Sequence, residues 1–269
     1  MSTLLANGGA RRVRAIATAE LRLLVRNRTA MFTALALPLI TAGGLTAIGF
    51  GEEGDLSTGA LVVTMLAGFT LLYVVYYNLV SAYVGRREDL VLKRLRVGEL
   101  TDAEILAGTA LPSVVVAVVQ VVLTAVVVAV GFGLDAPVNV VLAVLALLAG
   151  VVMFVLLAAA STAFTRNVEM AQVSTLPVVF LCMGSLIFSG VVMPADTIPD
   201  TVQAVVRFIP LSPVVDMIGL GLTGQTADGD TVGFAASWGE AALPAVIAAA
   251  WIVVGVYALR RWFRWEPRT

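Results

Sequence analysis

The 269-residue sequence has no histidine, one cysteine (Cys182) and one lysine (Lys93). Without histidine it has none of the zinc sites, haem ligands or Ser-His-Asp triads that need an imidazole. Cys182 has no second cysteine with which to form an internal disulfide. A Walker A loop needs Gly before its Lys and Ser or Thr after it, whereas Leu92 and Arg94 flank Lys93. The chain therefore has no P-loop, and we expect neither a metal site nor a cofactor within it.

Charged residues are also scarce, at 13% of the sequence, where an average soluble domain has about 25%. Carboxylates are nearly missing from the apolar runs, which argues against a proton- or sodium-coupled transporter. Each run has roughly the 20 residues that a helix needs to cross ~30 Å of hydrocarbon. We therefore predict an all-α integral membrane protein with six transmembrane helices rather than a soluble protein with a buried core. The runs are 30–49, 59–84, 105–133, 138–164, 173–193 and 241–262.

The basic residues indicate which side of the membrane each gap faces. All of the 17 Lys and Arg except Arg207 lie before the first run, in the second and fourth gaps, or at and after the end of the last run. The positive-inside rule assigns such segments to the cytoplasm. We expect both termini in the cytosol, a multi-pass protein of the plasma membrane, and basic residues near anionic lipid headgroups. The Arg-, Ala- and Val-rich composition suggests a bacterium, and the net charge of −1 gives no sign of nucleic-acid binding.

Residues 1–28 precede the membrane domain, 29–269, and within them 10–27 have the pattern of an amphipathic helix in the cytosolic interface. Glu20 falls within the apolar face, where a carboxylate is costly unless it is paired. The helix is either a simple membrane anchor or an element that meets a basic partner on the next cytosolic segment. Its apolar face comprises Val13, Ile16, Ala17, Leu21 and Leu24, and its polar face Arg11, Arg14, Thr18, Arg22 and Arg26.

The second cytosolic segment, 86–108, alternates charges of both signs with apolar residues. Gly98 interrupts the segment, and Thr101 followed by Glu104 has the pattern of a capping box. We predict a short charged helix up to Gly98 and a second helix that starts after Thr101 and enters the membrane. A solvated basic loop is the alternative, but the density of charge favours a segment that docks to another protein.

The fifth gap contains four prolines that separate helical pieces too short to span. We predict a re-entrant helical hairpin between spans 5 and 6, dipping into the outer leaflet, where non-helical backbone must be shielded by protein or line a wet cavity. A purely structural outer cap is the alternative. The residues that mark the hairpin are Ser189, Gly190, Pro194, Pro199, Pro210, Pro213 and Asp216.

The order of these pieces resembles a known family. The chain is similar to the membrane subunit, or permease, of ABC-2 type exporters. The similarity lies in the order of its pieces: a basic helix with a glutamate, two spans, an ExxxLKRLR segment, two more spans and an SGxxxP…IP…PLSP…D segment. The most similar members are the short permeases of daunorubicin-type drug exporters. The similarity covers about 15–261 and is strongest over 88–96 and 189–216. Two positions depart from the family pattern, because Leu90 stands where Gly is usual and Glu99 where Pro is usual.

The resemblance implies a half-transporter that is not itself an enzyme. Two permeases pair, as a homodimer or a related heterodimer, with the second and fifth spans at their interface. Each docks an ABC-type ATPase subunit, so two copies of the ATPase hold the ATP and Mg. The implied function is drug efflux, and hence antibiotic resistance, by export of an amphipathic drug, antibiotic or lipid-like cargo.

Other cargoes and another class remain open. The same fold exports glycolipids, peptides or polysaccharide precursors, whereas an integral membrane enzyme lacks support because no His, Cys or carboxylate cluster shares one depth. By resemblance, the hairpin forms an outer gate, and the residues that couple to the ATPase are Glu20, Glu88, Lys93, Arg94 and Arg96. The cargo-lining candidates, for which helix packing or an aromatic belt is the alternative, are Tyr73, Tyr76, Tyr77, Asn78, Ser81, Met183, Ser185 and Phe188.

Overall fold

The protein is described by a computed structural model that covers 57–97, 100–131, 135–189, 192–193, 197–226, 229–263 and 265, with scattered positions between 13 and 44. In these ranges the chain is helical apart from turns and one isolated bridge between Gln225 and Thr231. The elements in order are α1 (Thr58–Phe69), a π-helical segment (Thr70–Tyr77), α2 (Asn78–Glu88), α3 (Val91–Val97), α4 (Asp102–Gly131), α5 (Val140–Ser161), α6 (Val168–Ile187), α7 (Asp200–Val206), α8 (Ser212–Thr223), α9 (Phe234–Glu240) and α10 (Ala242–Trp262).

Five helices among the described residues are long and apolar enough to cross a membrane, and they correspond to the second to sixth predicted runs. The first run, 30–49, lies outside the described residues except for Phe32, Ala36, Ile40 and Gly44, which are helical. A sixth span, formed by this first run, therefore stays a prediction. The five helices are Gly59–Glu88, Asp102–Val130, Val140–Ser161, Val168–Ile187 and Ala242–Trp262.

Side-chain caps fix where two of these spans begin. Asn167 accepts a hydrogen bond from the Met170 N–H at 2.8 Å, so α6 starts at Val168 rather than at the predicted residue 173. Asn139 accepts one from the Leu142 N–H at 3.0 Å and starts α5 in the same way. Each asparagine satisfies an N–H that has no partner within its own helix.

The helix Gly59–Glu88, formed by α1, the π-helical segment and α2, is the central helix of the bundle. In its most apolar stretch 89% of the residues are buried, against 39% or less in the other four spans. Helix α4 packs along it, and so does α5, with α8 and α10 packing in turn on α5. A helix that is apolar all round is expected in such a position, because it has no polar face to present to water.

Glycines bring the helices close together at three crossings. A Cβ atom at Gly150 of α5 would lie 2.8 Å from side chains of Leu71 and Val214, and one at Gly255 of α10 would lie 2.8 Å from the Leu156 Cβ. At Gly221 of α8 the obstacle is backbone, since a Cβ would lie 2.8 Å from the Asn139 carbonyl oxygen. Small residues at crossings are typical of membrane helices, whose association depends on close packing.

Helix α8 runs along only one half of α5. Its first turn lies beside Gly150, at the middle of α5, and Gly221 near its end lies beside Asn139, which precedes α5. There the Asn139 N–H donates to the Gly221 carbonyl at 2.8 Å, and the Val138 N–H donates to the Leu222 carbonyl at 3.3 Å. Orphan carbonyls at the end of α8 are thus paired with N–H groups at the start of α5.

This contact predicts that Gly221→Ala destabilises the protein. The added methyl group meets backbone atoms that cannot rotate away, and overpacking of this kind typically costs about 1–3 kcal/mol. Thermal unfolding in detergent should therefore show a lower Tm for Gly221→Ala than for the native chain. The matched control is Gly184→Ala in α6, where nothing lies within 4 Å of the new Cβ and Tm should not fall. Equal Tm values for the two variants would contradict the packing described.

Candidate functional site

The described part of the N-terminal segment is helical and agrees with the predicted faces. Arg14, Thr18, Arg22 and Arg26 are exposed, whereas Ala17 is buried. Thr18 donates its hydroxyl to the Arg14 carbonyl at 2.7 Å, one turn back. Glu20 lies outside the described residues, so its pairing and the position of this helix in the membrane interface stay predictions.

The predicted cytosolic helix is α3, and two residues join it to the central helix. Asp89 follows the last residue of α2, and Leu90 then has a positive φ of 58° before α3 begins at Val91. The left-handed conformation costs an L-residue roughly 1–2 kcal/mol and costs glycine almost nothing. This geometry gives a physical reason for the glycine that the resembling family usually has where Leu90 stands.

Among its described side chains, helix α3 buries Leu92 completely and exposes one of the predicted coupling residues. The exposed residue is Arg94. The side chains of Lys93 and Arg96 lie outside the described part of the chain. The orientation of Arg94 leaves its guanidinium accessible to a partner on this side of the bundle.

The predicted capping box forms at the start of α4 and confirms where this helix begins. The Thr101 N–H donates to the Glu104 carboxylate at 2.8 Å, and the Glu104 N–H lies 3.3 Å from the Thr101 hydroxyl oxygen. Asp102 adds a second carboxylate to the first turn. Reciprocal caps and acidic residues both suit the positive end of a helix.

Arg87 is a buried residue that no pattern in the sequence singled out. Its side chain is 1% exposed, and its guanidinium donates to the carbonyls of Thr162 at 2.9 Å, Thr165 at 2.6 Å and Arg166 at 3.3 Å. These carbonyls belong to the turn between α5 and α6. In the sequence Arg87 resembles the exposed arginines that are expected at the end of a span. Its hydrogen bonds to residues 75 or more positions away are what distinguish it.

Glu88 contacts the same turn from the next position. Its carboxylate oxygen lies 3.4 Å from the N–H of Val168, the first residue of α6. A carboxylate at a helix N-terminus is favourable because the partial charge there is positive. Glu88 is exposed as well, so the structure gives this predicted coupling residue an internal contact and leaves a surface free for another.

The predicted hairpin region contains the two short helices that its prolines suggested. Pro199 precedes α7, and Pro213 lies in the first turn of α8, where a missing N–H costs nothing. Pro210 and Pro213 are buried, and Ser189 donates to the Leu186 carbonyl at 3.2 Å. Gly190 and Pro194 lie outside the described residues. The extension of α8 to Thr223, and α9 beyond it, were not predicted.

Two hydrogen bonds hold the turn between α7 and α8. The Ser212 hydroxyl donates to the Val206 carbonyl at 2.8 Å, and the Trp251 indole N–H of α10 donates to the Phe208 carbonyl at 2.8 Å. The hairpin region is therefore tied to the last span as well as to α5.

Asp216 is the carboxylate of α8 and has an apolar setting. Helix α8 packs on α1, α5, α6 and α10, whose only charged residues are Glu169, Arg260 and Arg261, at the helix ends farthest from α8. No hydrogen bond or ion pair reaches Asp216 from the described residues. Asp216 is itself partly exposed in the single subunit.

Of the cargo-lining candidates of the central helix, the three tyrosines fall in an unexpected π-helical segment, and Asn78 and Ser81 follow in α2. Tyr73, Tyr77 and Ser81 form a partly exposed strip, and Asn78 is partly exposed beside it. Tyr76 lies instead in the core, with its hydroxyl 3.0 Å from the Ser161 hydroxyl. Hydrogen bonds from i to i+5 are rare in proteins and occur often at functional sites.

On α6 the candidates divide in the same way. Met183 is partly exposed and Phe188 is exposed, whereas Ser185 is buried and donates to the Cys182 carbonyl at 2.9 Å. Helix α6 also presents exposed apolar residues such as Val173 and Phe180. In the single subunit, α6 and the narrow strip of the central helix are thus the parts of the two predicted interface spans that remain accessible.

Among the described residues no group of His, Cys, Asp and Glu is arranged to hold a metal ion.

A sequence model of the family described as "ABC-2 type transporter" matches residues 11–219. The match includes the N-terminal helix, α3 and the first part of α8. No curated protein matches the sequence.

Proposed function

The chain belongs to the ABC-2 type transporter family and is a membrane component of an ABC transporter, and from this premise we propose that it exports an amphipathic cargo from a bacterial cell. The cargo is a drug, an antibiotic or a lipid-like molecule, and ATP hydrolysis by a separate subunit drives its movement. The observation that carries the proposal is the family match over 11–219, which takes in the cytosolic segment and the hairpin region as well as the spans.

A division of labour between two subunits supports the proposal. Family members work with an ATP-binding subunit, and this sequence lacks a Walker A loop around its single lysine. We therefore assign ATP and Mg to the partner, two copies of which dock to a pair of membrane subunits. Exposed Arg94 on α3 and the arginines of the N-terminal helix supply basic groups for that interface.

The geometry of α8 supports a re-entrant outer gate. A helix that begins beside the middle of α5 and ends at the start of α5 has the length of a half-span. Such a helix leaves non-helical backbone at membrane depth, where it must be covered by protein or line a wet passage. In the proposed orientation the α7–α8 hairpin closes the outer end of the pathway. Residues 1–28 form the cytosolic helix, and residues 29–269 form the membrane domain.

The accessible tyrosines support an amphipathic cargo. Tyr73 and Tyr77 have ring centroids 6.5 Å apart and follow Phe69, whose ring is 6.2 Å from that of Tyr73. Aromatic rings with polar tips contact molecules that are part apolar and part polar. Between two subunits, this strip and the exposed residues of α6 would line one passage. Export of a glycolipid, peptide or polysaccharide precursor through the same fold would use the same surfaces.

The proposed orientation predicts opposite labelling of two exposed residues. Asp230→Cys, in the loop after α8, should react with a membrane-impermeant maleimide in intact cells. Arg94→Cys should react only after the membrane is permeabilised, because the positive-inside rule places α3 in the cytosol. The native Cys182 is buried and should give little background. Labelling of Arg94→Cys in intact cells would overturn the topology.

The proposed ATPase interface predicts a specific effect of Arg94→Ala. Loss of one partner of a desolvated charge pair typically costs about 2–5 kcal/mol, and ~3 kcal/mol lowers affinity by roughly a hundredfold. When the tagged chain is purified from its host, a protein with a Walker A loop should co-purify with it, together with ATPase activity. The Arg94→Ala variant should lose both while remaining in the membrane.

The matched control is Arg260→Ala, which is also exposed at a helix end but lies outside the cytosolic segment. It should retain the ATPase. If Arg94→Ala equals Arg260→Ala in efflux and co-purification, α3 does not dock to the ATPase through Arg94. ATP hydrolysis by the chain freed of other subunits would contradict the two-subunit proposal itself.

A further inference from the structure

We propose that Arg87 and Glu88 are positioning residues that carry movement of α3 to the α5–α6 turn and to α6. The inference rests on the proposed function, because it takes α3 to be the element that an ATPase moves. It assigns to these residues a role inside the membrane subunit that is separate from docking. The α5–α6 turn, 162–167, has no need of its own contact with the ATPase in this arrangement.

The side chain of Arg87 is suited to hold a helix end. The carbonyls of the turn that follows α5 lie outside the regular hydrogen bonds of the helix, and buried backbone oxygens of this kind need other donors. The planar guanidinium of Arg87 donates to three carbonyls of the turn. The nitrogen–oxygen distance is 2.9 Å or less for two of these three hydrogen bonds. A lysine would present a single ammonium point to the same three acceptors, whereas the guanidinium fork fixes the orientation of the turn.

Contacts on the neighbouring surface tie the same end of α2 to α6. Glu88 lies 3.4 Å from the Val168 N–H, and a Cβ placed on Gly85 would lie 3.4 Å from the Val168 Cγ2. Helix α2 therefore contacts the turn through Arg87 and the first residue of α6 through Gly85 and Glu88. These contacts fall on both sides of the turn, so a displacement of α2 displaces the turn and the start of α6 together.

The connection from α3 to these contacts is short. Arg87 and Glu88 are in the last turn of α2, and Asp89 and Leu90 alone separate them from α3. The Arg94 N–H also donates to the Leu90 carbonyl at 3.0 Å, and the Leu90 N–H to the Arg87 carbonyl at 3.1 Å. Hydrogen-bonded backbone thus runs without a break from α2 into α3, and a push on α3 reaches Arg87 with little slack.

A conformational readout distinguishes this role from a structural one. A cysteine at Thr201, exposed on α7 beyond the far end of α6, serves as reporter in the complex with the ATPase reconstituted in vesicles. Its labelling rate by an impermeant maleimide is measured without nucleotide and after trapping with ATP and vanadate. With native Arg87 the two rates should differ. With Arg87→Gln the difference should be lost while the complex and its ATP hydrolysis persist.

The matched control is Arg166→Gln, since the Arg166 side chain is exposed and only its carbonyl contacts Arg87. This variant removes one positive charge from the same turn and should retain the nucleotide response. If Arg87→Gln also retains it, the proposal is wrong. If the native chain itself shows no response to nucleotide, the proposed function fails, and that result is separate from the first.

A crosslink tests the same link if Arg87→Gln does not fold. Cysteines at Gly85 and Val168 would be neighbours that oxidation can join, because a Cβ at Gly85 would lie 3.4 Å from the Val168 Cγ2, which occupies a rotamer position of a cysteine sulfur. Because the link requires α2 and the start of α6 to move as one body, oxidation should leave the nucleotide response at Thr201 intact. Loss of the response on oxidation and its return on reduction would show that these helices separate during the cycle, which would overturn the proposal.

Discussion

The burial of the central helix Gly59–Glu88 is the constraint on which the rest of the described structure depends. Its most apolar stretch is 89% buried, so other helices must cover nearly every face of it. In a membrane, lipid would cover the apolar surface of this helix as well as protein does. Other helices therefore cover it because they pack closely against it, and not because they exclude water from it. The glycine crossing at Gly150 permits that packing, because α5, the central helix and α8 meet there within van der Waals distance.

The polar groups at helix ends impose the second condition. Within a bilayer an orphan backbone group costs several kcal/mol unless protein satisfies it. The start of α5 meets this condition through the Asn139 cap, whose amide also donates to the Ser237 hydroxyl at 2.9 Å, and through the carbonyls at the end of α8. At its other end the N–H groups of the following turn donate to the last carbonyls of α5, and Arg87 donates to the Thr162 carbonyl just beyond them. The residues that satisfy backbone groups near the ends of α5 therefore also join parts of the chain that are distant in sequence.

Much of this architecture follows from local patterns in the sequence. The lengths of the second to sixth runs, the Thr101–Glu104 capping box and the proline-bounded short helices were predictable because each depends on residues close in sequence. The π-helical segment, the burial of Tyr76 and the contacts of Arg87 were not, since each depends on which distant helix lies alongside. Arg87 and Arg94 illustrate the limit: seven residues apart in one basic segment, they are buried and exposed respectively.

Helix α5 connects the two regions to which the sequence assigns function. It is held at its start by α8, the helix of the proposed outer gate, and at its end by Arg87, which adjoins α3. An α-helix transmits displacement along its axis because its hydrogen bonds resist compression, whereas loops absorb it through φ and ψ. With both ends fixed by hydrogen bonds to backbone, α5 is the stiff element between α3 and the α7–α8 region. A movement of α3 that turns the end of α5 therefore acts on α8 through the Gly221 contact, without passing through the fifth-gap residues that precede α7.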